Sequence, residues 1–100
     1  MKRVLVLGST GSIGQNTLKV VQHLSGRFEV FALAAHRSVS MLAEQVQSFQ
    51  PKIVVLTDRS RLEEFRVHCN ERGIRIPEVL TGEEGLRFIV SAPEVDVVVS

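Results

Sequence analysis

Apolar residues along the chain occur in two patterns that alternate from the N-terminus to the C-terminus. Short continuous apolar runs are typical of strands that are buried on both faces of a parallel sheet. They predict strands at residues 4–7, 28–34, 53–56, 79–80 and 95–99. Between these runs, apolar residues recur at intervals of three and four, which predicts helices. This order of strands and helices predicts an α/β fold with a doubly wound parallel sheet, of the Rossmann-like class.

The predicted helices have recognisable starts, ends and inner faces. Ser60 and Thr81 are each followed three residues later by a glutamate, a capping-box pattern that predicts the starts of the third and fourth helices. Ser25 and Gly26 predict the end of the first helix, which begins at Ser12. The predicted inner faces are Ile13, Thr17, Val20, Val21 and Leu24; Val39, Leu42, Ala43, Val46 and Phe49; Leu62, Phe65 and Cys69; and Leu86, Ile89 and Val90.

The length of 100 residues predicts a single domain over residues 1–100, and the composition predicts that it is folded. Hydrophobic residues make up 44% of the chain and charged residues 23%, which excludes intrinsic disorder. The 12 lysines and arginines nearly balance the 11 acidic residues, so we expect no nucleic-acid partner. No apolar run approaches the roughly 18 residues that span a membrane, and the first run is too short for a secretory signal. We therefore expect no membrane association and a cytoplasmic location.

The chain offers little material for catalysis or metal binding. Cys69 is the only cysteine, which excludes an internal disulfide, and the three histidines show no metal-ligand spacing. We predict that the chain has no catalytic residue and no metal ligand. In open parallel sheets the reacting groups lie at the carboxyl ends of strands, and the last predicted strand ends beside Ser100. We therefore expect a sheet truncated after its last strand, in a fragment of a longer protein.

A glycine-rich loop follows the first predicted strand and opens the first predicted helix. Its spacing is Gly-x-x-Gly-x-x-Gly, one residue longer between the first two glycines than the commonest dinucleotide fingerprint. Gly8 permits a tight turn, Gly11 lets a pyrophosphate approach the backbone, and Gly14 lets the helix pack closely on the strand. The amides at the helix start then face the anion. The predicted cofactor-binding residues of this loop are Gly8, Ser9, Thr10, Gly11, Ser12, Ile13 and Gly14, with the three hydroxyls as additional donors.

The residues after the second predicted strand distinguish NADP from NAD. An NAD site usually has an acidic residue here, which accepts a hydrogen bond from the ribose 2'-hydroxyl. This chain instead has His36, Arg37 and Ser38. The Arg37 guanidinium suits the 2'-phosphate of NADP, and Ser38 adds a hydroxyl. His36 is either a further cofactor contact or a loop residue without one. These residues favour NADPH as the cofactor.

Several alternatives share this glycine loop. One is a turn that binds no ligand; a P-loop is disfavoured because the Lys-Ser/Thr ending is missing. Another NADP oxidoreductase, similar to aspartate-semialdehyde dehydrogenase, would have the same cofactor site and a different catalytic part. A non-enzymatic nucleotide-sensing Rossmann module would need no catalytic part at all.

Residues 7–14, 17–18, 20–21, 28 and 32–35 together resemble the start of the 1-deoxy-D-xylulose 5-phosphate reductoisomerase family. The resemblance covers essentially the whole chain and is strongest in the first forty residues. In that family the loop after the second strand commonly reads Gly-Lys-Asn. Arg37 therefore keeps the cation and Ser38 keeps a polar group, whereas His36 replaces a glycine.

The resemblance also implies an activity for the full-length protein. Members of the family isomerise 1-deoxy-D-xylulose 5-phosphate and reduce it with NADPH to 2-C-methyl-D-erythritol 4-phosphate, for isoprenoid synthesis. The resemblance further implies a divalent cation, Mg²⁺ or Mn²⁺, held by residues beyond this chain, and a homodimeric full-length protein. The resemblance also implies that the catalytic and C-terminal domains lie outside residues 1–100. On this basis we expect the chain to bind NADPH and to be inactive alone.

Overall fold

Strands and helices alternate along the computed structural model, which describes residues 1–24 and 26–100. The break predicted at Ser25 and Gly26 falls partly outside the described residues, because Ser25 is not among them. The elements are β1 (Lys2–Leu7), α1 (Ser12–His23), β2 (Phe28–Ala35), α2 (Val39–Phe49), β3 (Ile53–Leu56), a 3-10 turn (Arg59–Arg61), α3 (Leu62–Glu71), β4 (Glu78–Thr81), α4 (Gly82–Val90) and β5 (Val97–Val99).

The strands form one parallel sheet in the order β4-β3-β2-β1-β5. From β1 to β4 each new strand is added on the same side, whereas β5 returns to the other side of β1. Right-handed crossovers therefore place α1, α2 and α3 on one face and α4 on the opposite face. This order confirms the predicted doubly wound α/β fold, and its topological switch point lies between β1 and β5.

Each face of the sheet has its own hydrophobic core. On the face of α1, α2 and α3, the side chains of Leu42, Phe65 and Cys69 are fully buried. On the opposite face, Ile89 of α4 is fully buried in one cluster with Leu5 of β1. Burial raises the pKa of the Cys69 thiol, because the thiolate would lose its hydration. Cys69 is thus confirmed as a core residue that stays neutral.

The inner face predicted for α1 is largely wrong. The buried residues of α1 are Gly14 and Leu18, whereas Ile13, Val20 and Leu24 are exposed. Gly14 and Leu18 lie four residues apart and so share one row along the helix. The missing side chain of Gly14 lets this row approach the sheet, and the more apolar row is turned away.

Neither of the two predicted capping boxes forms: no side chain of Ser60 or Thr81 caps a helix. α3 begins at Leu62, and Ser60 lies within the preceding 3-10 turn, where the Asp58 side chain accepts a hydrogen bond from its amide. Thr81 does precede α4, but its side chain makes no capping hydrogen bond. α3 begins two residues later than Ser60, because the Asp58 side chain accepts from both the amide and the hydroxyl of Ser60 and holds it in the turn. Aspartates commonly make such bonds at turns.

The remaining boundaries differ little from the prediction. The inner faces of α2 and α3 are confirmed, but Val90 at the end of α4 is 43% exposed. β5 is shorter than residues 95–99, because the amide of Val95 closes a turn onto the carbonyl of Ala92 at 3.1 Å. Within residues 1–24 and 26–100, no helix has both the length and the apolar character needed to cross a membrane.

Candidate functional site

The glycine loop leaves β1 through a tight turn. Gly8 has a φ of +64°, in the left-handed region that favours glycine. The Gly11 amide donates to the Gly8 carbonyl at 3.0 Å, and the Ser9 amide donates to the Ala34 carbonyl of β2 at 3.0 Å. These two bonds hold the loop at the carboxyl edge of the sheet.

The third glycine is required by close packing. A Cβ at Gly14 would lie 2.2 Å from the Gly8 carbonyl oxygen and 2.7 Å from the Ser9 Cα, so no side chain fits there. A Cβ at Gly11 would meet only the Gly8 carbonyl oxygen, at 3.4 Å. The structure therefore gives Gly8 and Gly14 the structural roles predicted for them. The role of Gly11 beside a pyrophosphate stays a prediction.

The glycine loop and the first turn of α1 contain backbone amides that are not paired within the described structure. Among the described residues, the amides of Thr10, Ser12, Ile13 and Gly14 have no hydrogen-bond acceptor. The residue before the helix is Gly11, which has no side chain to cap it, and the first turn has no acidic residue. With the positive end of the helix dipole behind them, these amides form a site that suits a phosphate group.

The glycine loop rests on a buried polar contact that the sequence pattern did not predict. Gln45 of α2 is 7% exposed, and its Nε2 donates to the Ser9 carbonyl at 2.8 Å. Ser9 is fully buried. Its hydroxyl therefore faces the interior, whereas the sequence predicted it as a donor at the surface of the loop. A glutamine beside the apolar inner face of α2 was the only signal of this contact in the sequence.

The end of β2 is joined to the end of β3 by side chains and backbone. His36 Nδ1 lies 2.7 Å from the hydroxyl of Thr57, and Arg37 Nε lies 3.3 Å from Asp58 Oδ2. The Thr57 amide donates to the Ala35 carbonyl at 3.0 Å, and the Asp58 amide donates to the His36 carbonyl at 3.1 Å. His36 and Arg37 are therefore presented by two strand ends rather than by one free loop.

Asp58 is the acidic group beside His36 and Arg37. The sequence pattern did not predict that it lies there. Its Oδ1 accepts from the Ser60 amide at 3.1 Å and from the Ser60 hydroxyl at 2.6 Å. The Ser60 hydroxyl, and more weakly the charges of Arg37 and His36, hold the pKa of Asp58 below its ordinary value. Asp58 is therefore a carboxylate at neutral pH. The usual position of the acidic residue in an NAD site is after β2, whereas Asp58 follows the neighbouring strand β3.

The two parts of the candidate site share one edge of the sheet. Leu7 at the end of β1 is paired with Ala34 of β2, so the glycine loop and residues 36–38 follow adjacent strands. This is the carboxyl edge, where ligands bind in open parallel sheets. Across the part of the chain that the structure describes, no three His, Cys, Asp or Glu side chains are grouped to hold a metal ion. The polar groups that follow β1 and β2 therefore lie side by side at this edge of the sheet.

Comparisons with known proteins agree on one family. The family model for 1-deoxy-D-xylulose 5-phosphate reductoisomerase matches residues 4–100. A protein of that name from Desulfosudis oleivorans is 51% identical over 100 residues, which are 100% of this chain and 26% of the relative. The chain thus spans about a quarter of the length of the curated relatives that it matches.

Solved structures with the same fold carry the same name. One, described as DOX-P reductoisomerase in complex with NADPH, fosmidomycin and magnesium, has a TM-score of 0.87 and 28% identity. That alignment covers 98% of this chain and 24% of the other chain. The reductoisomerase from Zymomonas mobilis in complex with NADPH has a TM-score of 0.73 and 32% identity, over 85% of this chain and 22% of the other.

Proposed function

The chain belongs to the 1-deoxy-D-xylulose 5-phosphate reductoisomerase family, and we propose that residues 1–100 are the NADPH-binding domain of such an enzyme. One observation carries the proposal. The glycine loop and the first turn of α1 leave four amides without an acceptor among the described residues, and they lie beside the residues after β2 that are candidates for binding the 2'-phosphate. Family membership favours this function over an aspartate-semialdehyde dehydrogenase or a nucleotide sensor.

Each part of the site has a proposed task. The amides of the residues around Gly11 bind the pyrophosphate, and Gly8 and Gly14 hold that loop in shape. Arg37 and Ser38 bind the 2'-phosphate, with His36 beside them. NADPH supplies a hydride when it is bound, and the residues of this chain bind and orient it without taking part in proton transfer.

The reaction itself belongs to the full-length protein in this proposal. That protein isomerises and reduces 1-deoxy-D-xylulose 5-phosphate to 2-C-methyl-D-erythritol 4-phosphate, with Mg²⁺ or Mn²⁺ held outside residues 1–100. We propose that it is a cytoplasmic homodimer and that residues 1–100 alone are inactive. A coupled NADPH-oxidation assay on both proteins and sedimentation of the full-length protein test these points.

Substitution of Arg37 tests the cofactor assignment. Arg37→Asp in the full-length protein removes a charge-assisted hydrogen bond and repels the 2'-phosphate. Loss of such a bond weakens binding about ten- to a hundredfold, so NADPH binding should fall while NADH binding is retained. The measurement is the ratio of kcat/KM values for the two cofactors, with Arg66→Asp on α3 as the control. An unchanged ratio would show that Arg37 does not select the cofactor.

Substitution of Gly11 tests the loop independently. Gly11→Val places a branched side chain where the pyrophosphate would approach, in a position where a Cβ meets only one backbone atom, at 3.4 Å. The variant should keep its circular-dichroism spectrum and lose cofactor binding in a fluorescence titration. A folded variant with undiminished affinity for NADPH would contradict the assignment of the loop.

A further inference from the structure

Arg37 is not a free cation in the folded chain. Its Nε lies 3.3 Å from Asp58 Oδ2, and the Arg37 side chain is 63% exposed while that of Asp58 is 23% exposed. The carboxylate is held in place from its other oxygen by both donors of Ser60. The end of β2 therefore presents an ion pair and not a single positive charge.

From this arrangement we infer that Asp58 is a specificity-determining residue, which supplies from β3 the acidic group that the end of β2 lacks. It moderates the preference of the site for a 2'-phosphate over a 2'-hydroxyl. The inference rests on the proposed function and adds a residue to it. In sequence, Asp58 is 21 residues beyond Arg37; in the structure, the backbone bond from its amide to the His36 carbonyl brings the two together.

Two effects of the carboxylate act in the same direction. A phosphate that pairs with Arg37 competes with Asp58 for the guanidinium, and it is also repelled by the nearby negative charge. A ribose 2'-hydroxyl has no charge and meets neither obstacle. One effect acts the other way, because the ion pair reduces the motion of Arg37 before the cofactor arrives. An exposed ion pair contributes little free energy, because ordering the two side chains costs entropy, so the two electrostatic effects should dominate.

The test is Asp58→Asn in the full-length protein. Asparagine keeps an oxygen that can accept from Ser60, so the turn before α3 is retained while the charge is removed. We expect the dissociation constant for NADP⁺ to fall about two- to fivefold relative to that for NAD⁺. Calorimetric titrations with both nucleotides give the ratio. The gain should shrink as ionic strength rises, because salt screens exposed charges.

Control variants separate the effect of the Asp58 charge from other effects. Glu63→Gln removes an equally charged group whose partner is Arg66 on the surface of α3, and its ratio should match the wild type. Ser60→Ala removes the hydroxyl contact but keeps the carboxylate, and its ratio should also stay near the wild type. Should Asp58→Asn fold poorly, Asp58→Ser again removes the charge and keeps a side chain that can cap the turn.

The outcomes are distinct. An unchanged or lower preference for NADP⁺ in folded Asp58→Asn and Asp58→Ser overturns the inference, as does an equal rise in Glu63→Gln. If Arg37→Asp shifts the cofactor ratio but the Asp58 variants do not, the proposed function stands and the inference fails. If the wild-type protein binds neither nucleotide, both fail.

Discussion

Of the two apolar rows of α1, one is buried and the other is exposed. Gly14 and Leu18 form one row, which is buried against the sheet, whereas Ile13, Val20 and Leu24 form the other, which is exposed. The exposed row is the more hydrophobic of the two. Burial on this helix therefore follows the steric fit of Gly14 against the glycine loop, and not the amount of apolar surface that a row offers.

The exposed row borders an apolar groove beside β5. The groove lies between α1 and the last strand, and Val97 and Val99 form its other wall. On the β2 side of β1, α2 and α3 cover the sheet next to α1, whereas among the described residues no helix covers β5 on this face. Contiguous apolar surface of this kind promotes association. The same helix thus stabilises the fold with one row and leaves the other available.

The largest effect should come from a side chain in the buried row. In Gly14→Val, the added carbons would enter the space of the Gly8 carbonyl and Ser9 Cα, so α1 must move off the loop. We expect a loss of about 4 kcal/mol in the free energy of unfolding. Urea denaturation of the same substitution at Gly11, where a Cβ has room, is the matched control. Equal losses at the two positions would contradict the packing role of Gly14.

A second comparison truncates one residue in each row. Leu18 is 3% exposed and Val20 is 57% exposed. Leu18→Ala should cost about 2 to 4 kcal/mol, because it leaves a cavity under α1. Val20→Ala should change the free energy of unfolding by no more than about 0.5 kcal/mol. Thermal or urea denaturation distinguishes the two; similar costs would mean that the exposed row is buried in solution.

The groove itself can be tested through association of the isolated chain. We expect residues 1–100 to self-associate through the exposed row, and Val20→Glu to raise the dissociation constant about tenfold, because a charge would enter an apolar contact. Sedimentation at increasing concentration measures this. Val67→Glu on α3, at a side chain that is 50% exposed and outside the groove, should leave association unchanged. Equal effects would place the contact elsewhere.

The smallest effect concerns the attachment of β5, the far wall of the groove. Asp96 Oδ2 accepts from the Arg3 amide at 2.7 Å. That backbone bond, together with the charges of Arg3 and Lys2, lowers the pKa of Asp96 from its ordinary value of 3.8. Because the pKa of Asp96 is lower in the folded state, its carboxylate stabilises the fold at pH values above the pKa of the unfolded state. This contribution is lost as the pH falls through the pKa of the folded state.

The pH dependence of unfolding should therefore become shallower below about pH 4 in Asp96→Asn. Glu94→Gln, which replaces an exposed carboxylate nearby, is the control and should keep the wild-type dependence. A wild-type slope in Asp96→Asn would show that the Arg3 contact does not contribute to acid stability.

The sequence alone determined the order of elements, the parallel doubly wound class and the position of the glycine loop. Residues 53–56 form a short run of β-branched and apolar residues that directly follows Pro51 and Lys52, a pattern that favours a buried strand. A glycine cluster between a strand and a helix likewise favours a tight turn. The structural roles of Gly8 and Gly14 could be predicted for the same reason. Such features depend on neighbours within a few residues, which the sequence displays directly.

Only the tertiary structure decided which row of α1 is buried, what supports Ser9, and what partner Arg37 has. Gln45 and Asp58 reach the site from other elements, 36 residues beyond Ser9 and one strand beyond Arg37. Hydrophobic spacing favours burial of the row of Ile13, Val20 and Leu24, but the close approach of Gly14 to the glycine loop buries the row of Gly14 and Leu18 instead. Pairings of this kind depend on how strands are ordered in space, because parallel strands place residues that are distant in sequence at one edge of the sheet.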